Sequence, residues 1–287
     1  MARKRIIKNR NRSSNQIPKL LMISLAFNDL IYRLFISPLG VSDNMENGVW
    51  DYGWDACYAR IFFIYYQFCV SICHINSMAI DRYIAVCKPL LYRLLTNKSG
   101  YLLIGCSWGF PAFMQLVPHV LDWAHVEGTK IFKCNGKECA EIYSTTSFIV
   151  LIVLGFCIPF FTPYCFYVFI LKEVIMFNRR RPDFPLRSEE TNDASIQSRE
   201  TNPTNRNMKA YRTVGAIILC FSLCWCPVWI ILSQFFNARD PIPPWFNVLT
   251  NALSNMNPAL NPLLYCLNRP VRQAIKSILC RSKCKIL

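Results

Sequence analysis

The sequence predicts an all-α membrane protein, a bundle of apolar helices, and three observations carry that expectation. Hydrophobic residues fill 53% of the 287 positions and charged residues only 17%, against about a quarter charged in soluble domains. Apolar segments long enough to cross the hydrocarbon core, which takes about 20 residues, occur at about 17–40, 57–84, 100–121, 145–175, 208–236 and 243–266. The connections between them alternate in charge. One side holds 26 of the 32 Lys and Arg with 7 acids, net +19. The opposite side holds Arg33, Arg60, Lys130, Lys133, Lys137 and Arg239 with 9 acids, net −3, and Asp29 falls within a helix. Lys and Arg accumulate on the cytoplasmic side of membrane proteins, so six spans place both ends of the chain there.

A net charge of +15 invites a nucleic-acid reading, and its distribution argues against one. The basic charge sets topology first and attracts anionic inner-leaflet lipid second. Most of the 15 cysteines lie in apolar runs, where cysteine behaves as a small hydrophobe. Only Cys57, Cys134 and Cys139 fall on the outer side, where oxidation occurs. The opening residues MARKRIIKNRNR lack the apolar core of a secretory signal. Neither a phosphate loop, a nucleophile–base pair nor a metal-binding constellation is visible, and His74, His119 and His125 are scattered. An enzyme is not expected, nor an organic cofactor, nor a metal other than the sodium ion considered below.

The chain divides into a basic cytoplasmic segment (1–16), a transmembrane bundle (17–266) and a cytoplasmic tail (267–287). Within the bundle, the inner loop at about 177–207 is rich in Arg, Ser, Thr, Asn, Asp and Glu and reads as disordered. No internal repeats are present.

The stretch from Ser71 to Tyr92, SICHINSMAIDRYIAVCKPLLY, organises the rest. An Asp81-Arg82 pair ending an apolar helix is costly unless neutralised or turned inward. On its own it also fits a solvated helix end. Followed by Tyr83, then Ile-Ala-Val-Cys, then the helix-stopping Pro89, it resembles the third helix of rhodopsin-like (class A) G-protein-coupled receptors.

The resemblance runs from Asn15 to Cys284. Leu25-Ala26-Phe27-Asn28-Asp29-Leu30 resembles the second-helix signature, and Trp50-Asp51-Tyr52-Gly53 the first outer loop. Trp108 with Pro118 marks the fourth helix, though a lone tryptophan is more often packing or an interfacial anchor. Pro159 and Tyr167 match the fifth helix. Phe221 with Cys224-Trp225-Cys226-Pro227 matches the sixth, and Asn261-Pro262-Leu263-Leu264-Tyr265 the seventh. Pro258 stands where a serine is usual. Residues Asn268 to Leu279 resemble the short inner eighth helix, with Val271 replacing its usual phenylalanine. The implied architecture is a rhodopsin-like helical bundle with six of the usual seven transmembrane helices and a short amphipathic eighth helix. A truncated gene model, a splice form and a six-span protein all remain compatible with the residues.

This resemblance implies a multi-pass plasma-membrane receptor that carries an extracellular ligand signal to a heterotrimeric G protein and is able to pair as a receptor dimer. The coupling and switch positions are Asp81, Arg82, Tyr83, Tyr167, Phe221, Trp225, Pro227, Asn261, Pro262 and Tyr265. A proline in a membrane helix frees a backbone carbonyl and provides a pivot. The implied pocket is Ile64, Tyr65, Phe68, Leu151, Val228, Trp229, Asn251 and Asn255, and its aromatics equally suit an ordinary bundle core. Ile64 stands where amine receptors carry an aspartate, so an amine held that way is disfavoured. A sodium site is implied at Asp29, Ser71, Asn257 and Asn261, an oxygen-only set suited to a hard cation. Arg33, four residues after Asp29, is expected to compete for it. Cys57 is expected to bridge Cys139, with Cys134 left as the alternative. Cys280 and Cys284 suit palmitoylation or are ordinary thiols. Asn207 occupies the place of an acid that restrains Arg82, so raised basal signalling is expected. The rival reading is a non-signalling truncated receptor acting as a membrane interaction partner, with a transporter or channel further off.

Overall fold

A computed structural model describes residues 16–36, 38, 52–120, 132–134, 139–141, 149, 152–180, 215–231, 243–265, 272 and 277. Helix α1 (Ile17–Ile31) has Pro18 in its first turn, where a missing N–H costs nothing. It passes into a π-helical turn, Tyr32–Ile36. Helix α2 (Gly53–Cys87) has 35 residues, about 50 Å at 1.5 Å per residue. Gly53 opens it at φ 77, a conformation that side chains with a Cβ resist. Proline disfavours helical geometry in the residue before it, so α2 stops at Cys87. Pro89 then starts a single turn, α3 (Pro89–Tyr92).

Helix α4 spans Asn97–Val120. Strands β1 (Phe132–Cys134) and β2 (Cys139–Glu141) pair antiparallel with Cys134 opposite Cys139. A π-helical turn, Ile152–Cys157, leads into α5 (Ile158–Arg180). Helices α6 (Gly215–Ile231) and α7 (Pro244–Tyr265) complete the described chain. The runs Asp55–Cys87 and Ile152–Met176 are each long and apolar enough to cross a membrane, and α6 is a shorter apolar helix.

Several expectations change. The regular part of α1 ends at Ile31 rather than near 40. Helix α2 starts at Gly53 and ends at Cys87, beyond the expected 57–84, because charged residues near its outer end do not break helical hydrogen bonding. Residues 177–180 continue α5 instead of joining the inner loop. The β1–β2 hairpin lies outside the all-α pattern. The segment 1–15, the loop 181–207, most of the tail and the eighth helix beyond positions 272 and 277 lie outside the described residues.

The polarity is inverted relative to a soluble protein. Ile23, Phe27, Leu30, Leu102, Phe113 and Phe169 are more than half exposed, while Asn28, Asp29, Ser71, His74, Asp81 and Asn257 are buried. Lipid-facing helices with polar groups turned inward have this arrangement.

Two compact units divide the chain, Met1–Ile80 with Arg93–Cys165, and Asp81–Tyr92 with Phe166–Leu287. In the first, Ile17, Leu21, Leu25, Ile72, Ile75 and Met78 form an apolar core. A hydrogen-bond chain ties three helices within it. His74 Nδ1 lies 2.8 Å from the Val70 carbonyl, which only accepts, so that nitrogen carries the proton. His74 Nε2 then accepts from the Ser24 hydroxyl at 2.9 Å. Ser24 in turn accepts from Trp108 Nε1–H at 2.9 Å. The Ser77 and Ser107 hydroxyls meet at 2.9 Å. In the second unit, Tyr83 packs on Phe166 and Phe169 with centroids 5.4 and 6.3 Å apart. Gly215 leaves room for the Tyr167 ring: a Cβ there would lie 2.8 Å from Cζ.

Removing the Ser24 hydroxyl orphans both His74 Nε2 and the Trp108 N–H. Ser24→Ala therefore lowers stability by about 1–3 kcal/mol, read as the melting temperature of the chain in detergent. Ser24→Thr keeps the hydroxyl and retains most of that stability.

Candidate functional site

The inner end of α2 assembles a buried cation from residues close in sequence. Asp81 is 1% exposed and Arg82 9%. Arg82 Nε donates to Asp81 Oδ2 at 2.9 Å, and Nη2 donates to the same oxygen. Such a pair offsets the desolvation of both charges, which neither tolerates alone. The turn at α3 supplies a second partner. The Lys88 N–H donates to the Ile84 carbonyl at 3.1 Å and the Tyr92 N–H to the Lys88 carbonyl at 3.0 Å. The chain thus folds back so that Tyr92 Oη accepts from Arg82 Nη2 at 3.2 Å.

Burial, with the Asp81 carboxylate beside it, pushes the Tyr92 phenol from 10.0 up to about 12. It therefore stays protonated at physiological pH. Its contribution is whole below pH 10 and fades only as pH rises towards 12. Sequence reasoning missed this partner and took the second restraint as lost, with Asn207 in place of the usual acid; Asn207 lies outside the described residues.

The remaining switch positions fall in the second unit. Phe221 is buried, and its ring centroid lies 5.9 Å from that of Trp225 on the same helix. Tyr167 sits against Gly215, Pro227 is buried, and Asn257 and Asn261 are each 3% exposed. The side chains of Pro262 and Tyr265 lie outside the described residues.

The expected sodium ligands divide between the units, Asp29 and Ser71 in one, Asn257 and Asn261 in the other. Ser71 Oγ accepts from Asn28 Nδ2 at 3.1 Å and from Gln67 Nε2 at 3.2 Å. A hydroxyl oxygen has two lone pairs, and both are used. In this arrangement Ser71 Oγ faces two amide donors. Arg33 lies in the π-helical turn that follows α1.

Of the pocket positions, Phe68 is buried and stacks on Phe156 at 4.9 Å. Ile64 is half-buried and Tyr65 is 45% exposed. In the second unit Val228, Trp229 and Asn255 are half-buried and Asn251 is exposed. Asn255 Nδ2 donates to the Asn251 carbonyl at 2.8 Å. Leu151, Cys280 and Cys284 lie outside the described residues. Cys57 is buried and disulfide-bonded. The side chains of Cys134 and Cys139 lie outside the described residues, and their backbones stand directly opposite each other.

The model of the 7 transmembrane receptor (rhodopsin family) matches residues 6–265. The 5-hydroxytryptamine receptor 4 of Homo sapiens is 28% identical over 278 residues, which cover 90% of this chain and 70% of that protein. Trace amine-associated receptor 2 of Homo sapiens is 30% identical over 274 residues, covering 90% and 71%. Melatonin receptor type 1A of Phodopus sungorus is 24% identical over 277 residues, covering 94% and 73%. The chain belongs to the rhodopsin family of seven-transmembrane receptors, multi-pass proteins of the plasma membrane that act as receptors and not as enzymes.

Proposed function

We propose that this chain is a receptor in which an extracellular ligand shifts a two-state helix bundle and Arg82 couples it to a heterotrimeric G protein. The observation that supports this is the enclosure of Arg82 by Asp81 and Tyr92. A buried guanidinium held by two nearby partners is bistable by its chemistry: losing them leaves a costly bare cation, which a new acceptor relieves. The carbonyl groups at a helix C-terminus have no intrahelical donors and suit that role. A ligand acts by binding one state more tightly than the other. The basic inner surface adds attraction to anionic lipid.

The relatives' names include amine and melatonin receptors, which supports a small-molecule ligand. Ile64 stands where the amine-receptor pattern has its aspartate. A buried ammonium there would lack its counter-ion, and the neighbouring Phe68–Phe156 stack is apolar. We take the ligand to be uncharged at that end.

Two substitutions test this reading in lipid nanodiscs with purified heterotrimeric G protein. Tyr92→Phe removes one hydrogen bond to a charged group, worth about 1.5 kcal/mol. It raises ligand-free nucleotide exchange about tenfold, and an unchanged rate counts against Tyr92 as part of the restraint. Ile64→Asp supplies the missing counter-ion and improves 5-hydroxytryptamine binding by at least about tenfold. No gain would contradict the placement of Ile64 in the pocket.

A further inference from the structure

Helix α5 carries prolines at 159 and 163, four residues apart. In an α-helix the N–H of residue 163 donates to the carbonyl of residue 159, and Pro163 has no N–H. The Pro159 carbonyl is thereby stripped of its helical donor within an apolar span, where a bare carbonyl is expensive. The side chain of Asn76, on α2, donates to it from Nδ2 at 2.9 Å. The same amide nitrogen donates to the Ile72 carbonyl at 2.9 Å. Both neighbours only accept, so chemistry fixes the orientation of this amide. One turn earlier the pattern repeats. Pro159 removes the α-helical donor to the Gly155 carbonyl, which instead faces Cys69 Sγ at 3.7 Å. Phe68, beside Cys69, stacks on Phe156, and Phe156 on Phe160, at 4.9 and 5.8 Å. The two carbonyls that Pro159 and Pro163 deprive of an α-helical donor thus both face side chains of α2, beside rings that begin at the pocket residue Phe68.

We propose that Asn76 is a positioning residue of the receptor switch. Its amide substitutes for the N–H that Pro163 lacks and fixes the course of α5 across residues 159–163. It thereby favours the conformation in which Arg82 is paired. The signalling part rests on the receptor reading above, and the clamp itself does not.

The test uses the full chain in lipid nanodiscs as wild type, Asn76→Leu, Pro163→Ala and the double variant. Two readouts are taken, amide hydrogen exchange along α5 and ligand-free nucleotide exchange on purified heterotrimeric G protein. Asn76→Leu speeds amide exchange in α5 and raises nucleotide exchange about fivefold, the equivalent of one net hydrogen bond. Pro163→Ala restores the helical donor, so in that background Asn76→Leu changes neither readout. A merely structural asparagine would lower stability without changing the signalling rate of the folded fraction. An effect of Asn76→Leu that is equally large in the Pro163→Ala background overturns the proposal, as does unchanged amide exchange in α5. Altered amide exchange with an unchanged signalling rate overturns the switching role. If Asn76→Leu alone fails to fold, recovery in the double variant supports the clamp and continued failure refutes it. If wild type drives no nucleotide exchange, the receptor reading falls, and amide exchange still decides the clamp.

Discussion

Hydrocarbon offers a polar group no alternative partner, so each N–H, carbonyl and charge placed in it must be satisfied by the chain itself. The described contacts follow from that constraint. His74 is held by a carbonyl of its own helix and by a serine 50 residues away. Arg82 takes its immediate neighbour and a phenol ten residues on. Asn76 answers a carbonyl that a proline has left bare. In water each of these groups would trade partners at small cost. In a bilayer each contact fixes a helix, and the exposed faces are left to Phe, Leu and Ile.

The same constraint makes a switch economical to build. Helices packed only by apolar side chains slide with little penalty, whereas a buried charge has few tolerable positions. Arg82 is held by Asp81 and Tyr92 within the protein, and on the proposed reading a G protein supplies the alternative partner. The prolines give the helices places to bend, and polar side chains decide which bend is held.

Much of this was legible in the sequence. Apolar runs located the described helices, and Asp81-Arg82-Tyr83 located the buried cation. What escaped was whatever depends on a return of the chain. Tyr92 stood in the quoted stretch, yet its role appears only once Pro89 begins a helical turn and brings the phenol back. His74 looked isolated because Ser24 and Trp108 come from other helices. The spacing of Pro159 and Pro163 was a readable signal of an orphaned carbonyl, but the identity of its donor was not. Ser71 was singled out for its oxygen, while the occupancy of that oxygen depends on Asn28 and Gln67. Cys134 and Cys139 could not be separated by sequence, and their directly opposed register in the hairpin shows why spacing alone is a weak discriminator.

The most direct test of Arg82 as the coupling group is ligand-free nucleotide exchange on a purified heterotrimeric G protein, comparing wild type with Arg82→Ala in lipid nanodiscs. The account predicts exchange above background for wild type and none for Arg82→Ala, with both chains folded and embedded alike. Equal rates from the two chains would contradict it.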